Sequence, residues 1–278
     1  MIIDTHIHIF DPAREEGVPW PDPDSPIYRT TLPEQARNEA SPHGVTGAVV
    51  VEASLWTQDN QWILDLAADD PFLLGLVGRL EPEDENFTEL LARFADNPLF
   101  RGIRFWGKYF KDLEAHGFID KMADLAARGL VLDVIFPADD AENFFTLLER
   151  VPQLQVVIEH IAQARVDCQT PDPQWTANMQ RAAAHPQVCM KASALMECSQ
   201  IQPAPDDVSY YTPLLDTLWD GFGADRLLYG SNWPVCERAG SYEQCISIVR
   251  AYFEGRGEDA VEKYFSTNAL RVYGLQPR

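Results

Sequence analysis

The chain opens with Met1-Ile2-Ile3-Asp4-Thr5-His6-Ile7-His8, a short apolar run that ends in a His-x-His pattern. Residues two apart in a β-strand point to the same face of the sheet. Asp4, His6 and His8 therefore share one side of a predicted strand, with both histidines at its C-terminal end. Two imidazoles held in this way suit a divalent metal or a proton relay, and Asp4 could orient them through a hydrogen bond. The stretch thus predicts chemistry at the first strand of the fold.

Outward from this strand, apolar runs alternate with helical patterns along the chain. Further strands are predicted at 45–52, 72–79, 101–105, 130–136, 154–159, 188–192 and 226–230. Helices are predicted at 58–69, 86–95, 116–128, 139–149, 173–184, 207–220, 241–254 and in the tail, 258–273. A Pro-rich, acidic stretch at 11–33 is predicted to form a long loop over the end of the first strand. This alternation indicates a parallel sheet, and eight strands are enough to close a barrel.

We therefore predict an α/β protein, a (β/α)8 TIM barrel that forms a single domain over residues 1–278. The length of 278 residues fits, because such barrels typically need about 250. A share of 46% hydrophobic residues can build a sizeable core. The pattern alone leaves a doubly wound open sheet as the alternative. No Gly-x-Gly-x-x-Gly follows the first strand, which disfavours a dinucleotide-binding fold of that kind.

The charge of the chain argues against several classes of partner. Forty-three acidic and 22 basic residues give a formal net charge of −21, which would repel nucleic acid and anionic membranes. No apolar run approaches the roughly 18 residues that a membrane helix requires. The start MIIDTHIHIF lacks the pattern of a signal peptide, so we expect no cleaved leader and a cytoplasmic enzyme. The expected partner is a small-molecule substrate, and a homo-oligomer is left open.

The residues that could carry chemistry are those at predicted strand ends, because barrels build their active sites there. Those positions hold His6, His8, Glu52, Arg104, His160, Lys191, Ser193, Asn232 and Trp233. A lone histidine is more often structural, but a His-x-His pair with a third strand-end histidine favours a functional site. Arg104 could neutralise buried acids or clamp a carboxylate or lactone carbonyl. Lys191 and Glu52 likewise admit a structural and a catalytic interpretation.

An ordered set of motifs carries a resemblance to a known family. The set is Ile3-Asp4-Thr5-His6-Ile7-His8, Phe100-Arg101-Gly102-Ile103-Arg104, Val157-Ile158-Glu159-His160, Lys191-Ala192-Ser193, Tyr229-Gly230-Ser231-Asn232-Trp233-Pro234-Val235 and Asn268-Ala269-Leu270-Arg271-Val272-Tyr273. Together these motifs resemble the amidohydrolase superfamily, of the amidohydrolase-2 type. Within it they are similar to the branch of sugar-lactone and pyrone-dicarboxylate lactonases. The resemblance implies a (β/α)8 fold and a hydrolase that opens a small sugar lactone or carboxylated lactone with an activated water.

The resemblance also implies roles for individual residues. His6, His8 and His160 occupy positions that bind a metal or the substrate. The implied metal is one divalent ion, zinc first, and the branch also includes enzymes without one. The catalytic residues would be His160, Asn232 and Arg104, with Arg104 polarising the carbonyl or holding a substrate carboxylate. The implied substrate-binding set is Glu52, Trp106, Tyr109, Lys191 and Trp233.

Two departures from the family pattern bear on the mechanism. The fifth strand ends in Asp133-Val134-Ile135-Phe136 without a histidine, so a binuclear metal centre lacks ligands. Asn232 stands where the family usually has an aspartate as general base. An amide has no basic lone pair near neutral pH, although it can orient a water or donate to an oxyanion. The base would then be His160, a metal-bound hydroxide or Glu52.

Two other functions compete with the lactonase. One is a decarboxylase-type lyase of the same superfamily that acts on a small aromatic acid. Such enzymes rely on a fuller metal centre with a strand-8 aspartate, so Asn232 weakens this alternative. The other is a barrel with impaired catalysis that only binds a small ligand, and Asn232 is its best support.

Overall fold

The computed structural model describes residues 1–276, and its strands form one parallel sheet that follows the order of the chain. The strands are β1 Ile2–Ile7, β2 Val45–Val51, β3 Leu73–Gly78, β4 Phe100–Phe105, β5 Val131–Val134, β6 Gln155–Ile158, β7 Val188–Lys191 and β8 Leu227–Leu228. Each strand pairs in parallel with the next one along the chain. The predicted (β/α)8 architecture is confirmed.

The barrel closes through the segment that follows the short strand β8. The backbone N–H of Thr5 donates to the carbonyl of Tyr229 at 3.0 Å, and that of Asn232 donates to His6 at 2.9 Å. The N–H of His8 donates to the carbonyl of Trp233 at 2.8 Å. These bonds join β1 to residues 229–233, so the last predicted strand continues as an irregular but hydrogen-bonded segment. As a result, His6, His8 and Asn232 lie side by side.

Helices cover the outer face of the sheet, and the last of them contributes to the apolar interior of the barrel. They are α1 Pro33–Ala40, α2 Asp59–Asp69, α3 Phe87–Ala95, α4 Phe118–Ala127, α5 Ala141–Arg150, α6 Pro173–Ala183, α7 Thr212–Phe222, α8 Tyr242–Glu254, α9 Glu258–Glu262 and α10 Asn268–Val272. Polar side chains cap the N-termini of two helices. Asp172 accepts from the backbone N–H of Trp175 at the start of α6, and Ser241 accepts from the backbone N–H of Gln244 at the start of α8. Among residues 1–276, no helix combines the length and the apolar character needed to cross a membrane.

Helix α1 was not predicted from the sequence. Its eight residues, PEQARNEA, are mostly polar, and it buries only Pro33, Ala36 and Ala40. Small side chains of this kind produce too weak an apolar period to reveal a helix. The predicted loop therefore ends where α1 begins, and the helix leads into β2.

The barrel interior divides into an apolar part and a polar part. Strand residues such as Ile3, Val49 and Leu228 form a buried apolar cluster that also includes Val272 and Leu275 from the C-terminal region. The C-terminal segment thus helps to fill the barrel, which is a packed core in this fold rather than a pore. Buried charged and polar side chains are collected at the C-terminal ends of the strands, where the candidate site lies.

Candidate active site

A cavity of about 560 Å³ opens at the C-terminal ends of the strands. Six residues predicted from the sequence line its wall: His8, Glu52, Arg104, Trp106, His160 and Asn232. The histidine at position 6 lies directly behind His8 and is fully buried. The structure therefore brings together residues from β1, β2, β4, β6 and the segment after β8, as expected for this fold.

The two histidines of β1 face each other through one nitrogen of each ring. The Nε2 atoms of His6 and His8 are 3.2 Å apart. The Nδ1 atom of His8 lies 3.0 Å from the carbonyl oxygen of Val51, which can only accept, so this nitrogen carries the proton. Burial lowers the pKa of His8 to about 4, so the ring is neutral near pH 7. The Nε2 atom of His8 therefore presents a lone pair.

His6 is held in the same tautomer by a carboxylate. Its Nδ1 atom lies 3.1 Å from Oε1 of Glu159. The ammonium group of Lys191 is also near, at 3.4 Å, but it donates to Asp133 at the shorter distance of 2.6 Å. Burial holds the pKa of His6 well below its usual value, even though Glu159 opposes this effect. The Nε2 atom of His6 therefore also presents a lone pair.

Two lone pairs that face each other across 3.2 Å fit a bound cation. Two nitrogens on one tetrahedral zinc are about 3.3–3.4 Å apart, given Zn–N bonds of about 2.0–2.1 Å. The hydrogen bond from His6 to Glu159 is the support that a metal-ligating histidine usually receives. His6, Glu159 and His160 also offer ligand atoms that all lie within 4.8 Å of one another. The donor set present here therefore fits one divalent metal.

Glu159 links the histidines to two buried cations. Its carboxylate accepts from Arg104 Nε at 2.6 Å and lies 3.4 Å from the ammonium group of Lys191. Burial alone would raise its pKa, but Arg104, His6 and Lys191 together hold the pKa well below its usual value. Glu159 is thus a fixed negative charge beneath the cavity.

Arg104 pairs with buried carboxylates and also lines the cavity. It neutralises Glu159 and lies 3.4 Å from Oε1 of Glu52, and it also reaches the cavity wall. Its guanidinium group lies over the ring of Trp106, 4.8 Å from the ring centre. These contacts hold a cation in one orientation toward the cavity.

His160 is positioned by its backbone and by a hydroxyl. Its Nδ1 atom lies 3.0 Å from Oγ of Ser193. Burial lowers the pKa of His160 to about 3, although Glu159 acts in the opposite direction. Four cavity residues, His160, Gln163, Ala194 and Asn232, adopt left-handed backbone conformations with φ of 54°, 57°, 57° and 61°. Such strain in residues other than glycine is typical of functional sites.

Asn232 connects the histidine pair to a carboxylate that the sequence analysis missed. Its Oδ1 atom lies 3.3 Å from Nε2 of His8, and its Nδ2 group donates to Oε1 of Glu197 at 2.7 Å. Glu197 lines the cavity from the connection that follows β7. In the sequence, Glu197 is the first acidic residue after the end of β7, and this position could have marked it as a candidate site residue.

Three residues of the predicted substrate-binding set do not line the cavity. The hydroxyl of Tyr109 bonds Arg79, at 2.6 Å, and Glu81. Trp233 is 2% exposed, because it packs in the core and its Nε1 donates to Glu237 at 2.8 Å. Lys191 is fully buried beneath the cavity, where Asp133 holds it. Trp20, from the long loop after β1, lines the wall instead.

Asp4 does not orient the imidazoles, contrary to the expectation from its spacing. Its carboxylate accepts from the backbone N–H groups of His6, at 3.1 Å, and Ser231, at 2.9 Å. It also accepts from the hydroxyl of Tyr242 at 2.9 Å. Asp4 therefore stabilises the closure of the barrel, while Glu159 and the Val51 carbonyl orient the rings.

Comparisons with known proteins agree with this architecture. The model of the amidohydrolase family matches residues 3–275. An L-fucono-1,5-lactonase from Burkholderia ambifaria is 29% identical over 98% of this chain and 95% of its own length. The crystal structure of an amidohydrolase from Burkholderia multivorans with bound zinc aligns with a TM-score of 0.87 at 24% identity, over 99% of this chain and 100% of that one.

A Pseudomonas putida protein assigned as a 2-pyrone-4,6-dicarboxylic acid hydrolase aligns with a TM-score of 0.78 at 22% identity, over 98% of this chain and 97% of that one. At such identities the structural matches show the fold alone. The family model, which spans nearly the whole chain, confirms the family predicted from the motifs. This chain belongs to the amidohydrolase family.

Proposed function

We propose that this chain is a lactonase that opens a six-membered sugar lactone with an activated water. The observation that carries the proposal is the convergence of Arg104, His160 and the paired His6 and His8 on one cavity of about 560 Å³. A cation and polar groups at one wall of a cavity suit the hydrolysis of an ester bond. The names of the lactonase relatives support the same reaction.

Arg104 is the group that polarises the lactone carbonyl in this proposal. A guanidinium has five N–H donors, and the bonds to Glu159 and Glu52 engage two of its three nitrogens. Its other donors can bind the carbonyl oxygen and stabilise the oxyanion that forms when water attacks. Because Glu159 and Trp106 hold the group in place, little reorganisation is needed during the reaction.

The cavity wall favours a neutral sugar lactone over a dicarboxylate. It presents the carboxyl groups of Glu52 and Glu197 as well as Arg104 and Arg238. Carboxylates accept hydrogen bonds from sugar hydroxyls, and they offset the charge of the two arginines, which reduces the attraction of the wall for a dicarboxylate. Trp20 and Trp106 supply broad apolar surface for the ring of a sugar.

His6 and His8 are the residues that would hold a divalent metal, with Glu159 supporting His6. Zinc or a similar ion, when bound, would supply Lewis-acid polarisation at this end of the cavity. The chain's own contribution is to keep both rings neutral and in one tautomer. Asn232 adds an amide oxygen that orients a water beside His8.

A panel of lactones tests the proposal. Acid release is measured with 1,5-sugar lactones, a muconolactone and 2-pyrone-4,6-dicarboxylate, on protein of known metal content and again after chelation. We expect a kcat/KM of at least about 10⁴ M⁻¹s⁻¹ for one or more sugar lactones. No turnover above the blank on any lactone would overturn the proposal. Carbon dioxide release from a hydroxybenzoate would favour the lyase instead.

A further inference from the structure

We propose that Glu197 is the general base of this site and that it replaces the aspartate which the family usually has at position 232. This inference rests on the proposed lactonase function and names a residue for the step that Asn232 cannot perform. Hydrolysis requires a group that takes a proton from the attacking water.

The carboxylate of Glu197 has one oxygen engaged and one available. Oε1 accepts from the Nδ2 group of Asn232 at 2.7 Å. Oε2 is buried from solvent and has no hydrogen-bond partner among residues 1–276. Glu197 lines the cavity, so rotation of its carboxylate about the Cγ–Cδ bond would present this second oxygen to a water or substrate group there. A buried acceptor without a partner costs free energy unless a ligand or water satisfies it.

The other carboxylates near the cavity are engaged with cations. Glu52 lies 3.4 Å from Arg104 and 3.9 Å from Arg79. Glu159 binds Arg104 and His6, and its pKa lies well below the range of a useful base. Glu197 forms no ion pair within the part of the chain that the structure describes. It is therefore the carboxylate whose proton affinity is least reduced by a neighbouring cation.

The surroundings of Glu197 tune it for proton transfer near neutral pH. Burial raises its pKa to about 7, and the hydrogen bond from Asn232 only partly opposes this shift. A base whose pKa lies near the working pH is the most effective one. The titratable and charged groups around it are Arg238, Cys198, Cys236, Cys245 and Tyr211. The cysteine and tyrosine groups have raised pKa values and stay neutral near pH 7, so Glu197 is the member of this set expected to titrate. Burial raises the pKa of Glu52 to about 7 as well, and the Glu197→Gln variant, which retains Glu52, separates the two groups.

The proposed step conserves atoms and protons. As the water oxygen bonds to the carbonyl carbon, Oε2 of Glu197 takes one water proton and the carbonyl electrons move to the oxygen beside Arg104. The tetrahedral intermediate then collapses, the bond from carbon to the ring oxygen breaks, and protonated Glu197 gives its proton to that oxygen. The product is a hydroxy acid that loses a proton to solvent.

The Glu197→Gln variant tests this role. Its amide oxygen can still accept from Asn232, so a purely structural role would leave the activity nearly intact. We expect kcat to fall about 10²–10⁴-fold, the range for loss of general base catalysis, while KM changes little. In the wild type, kcat/KM should rise with pH through about 7, because the base must be deprotonated. The variant should not show this rise of kcat/KM with pH. Asp206→Asn, an exposed carboxylate in the same connection, is the matched control.

A swap of the two groups provides the rescue experiment. The double variant Glu197→Gln/Asn232→Asp exchanges the two groups across their contact: the carboxylate is then at position 232, as in most of the family, and the amide is at position 197. We expect activity at least about tenfold above that of Glu197→Gln alone, a coupling typical of residues in contact. A wild type that is active while Glu197→Gln is unimpaired would overturn the role of Glu197 only. A wild type inactive on every lactone would overturn the proposed function, and this role with it.

Discussion

His6 and His8 present ring nitrogens to each other across 3.2 Å, while a carboxylate and a backbone carbonyl occupy their other nitrogens. This arrangement sets the tautomer of both rings. A His-x-His pattern in a sequence shows only that the side chains share a face of a strand. The structure adds that both lone pairs point at the same place, and this defines a binding position.

Metal binding should therefore depend on this pair. We expect the wild type to bind about one zinc ion per chain and His8→Ala to bind it at least about tenfold more weakly, because one of two facing donors is lost. Isothermal titration with zinc, checked by elemental analysis, measures both values. His116→Ala, at an exposed histidine in a turn, is the control. Equal zinc affinity in the wild type and His8→Ala would contradict this account of the pair.

Arg104 should contribute to the transition state more than to substrate binding. Arg104→Lys keeps the positive charge beside Glu159 but loses the fork of donors. We expect kcat to fall about 10²–10³-fold, as when an oxyanion donor is removed, with a smaller change in KM. Steady-state kinetics on a sugar lactone, with thermal unfolding as a check on the fold, measures this. Arg165→Lys, at an exposed arginine, should behave like the wild type. A rise in KM at unchanged kcat would assign Arg104 to binding alone.

At the residue scale, the sequence predicted the strand-end groups well and the loop groups poorly. His6, His8, Glu52, Arg104, His160 and Asn232 lie together as expected, because strand ends meet at one face of a barrel. Glu197 and Trp20 were missed because they lie on long connections, where the sequence has no regular period from which the direction of a side chain could be predicted. Trp233 was misplaced because a strand-end residue can point into the core as well as into the cavity.

At the scale of elements, close contact between β4 and β5 depends on a glycine. A Cβ atom at Gly102 would overlap the backbone carbonyl of Val131, the residue it pairs with. Gly102→Ala should therefore destabilise the fold by about 3 kcal/mol, the upper end for overpacking, or prevent folding. Gly221→Ala in α7 is the control, because its Cβ would lie 3.4 Å from that of Ala183, an ordinary contact. Equal midpoints of urea unfolding for the two variants would contradict this view of the β4–β5 contact.

Element boundaries show which signals the sequence contains. Long apolar runs such as β2 and β3 were located to within about a residue, because a buried parallel strand is apolar throughout. The polar helix α1 was missed for lack of an apolar period. Residues 229–233 were predicted in part as a strand, yet they close the barrel through backbone bonds without regular pairing. Closure of this kind depends on contacts with β1, more than 220 positions earlier in the chain, and no local pattern encodes it.

At the scale of the whole molecule, the formal net charge of −21 selects among substrates. A neutral lactone approaches such a surface freely, whereas an anion is repelled unless salt screens the field. The product of hydrolysis is itself an anion, so the same field favours its release. The acidic surface is thus consistent with a neutral sugar lactone as substrate.

This charge leads to a salt-dependence test. We expect kcat/KM for a neutral sugar lactone to vary less than about twofold between roughly 20 and 500 mM sodium chloride. For a lactone that carries a carboxylate, kcat/KM should rise over the same range as repulsion is screened. Initial rates of both substrates at each salt concentration measure this. A kcat/KM that falls with salt for the carboxylated lactone would show that the local arginines dominate instead.

In the proposed reaction, an activated water attacks the carbonyl carbon of a sugar lactone. The most direct measurement is hydrolysis of a 1,5-sugar lactone in ¹⁸O-labelled water, with the rate compared with a blank without enzyme and the product analysed by mass spectrometry. We predict a rate well above the blank and a single ¹⁸O atom in the new carboxylate. No rate above the blank, or ¹⁸O in the new hydroxyl group, would contradict the account.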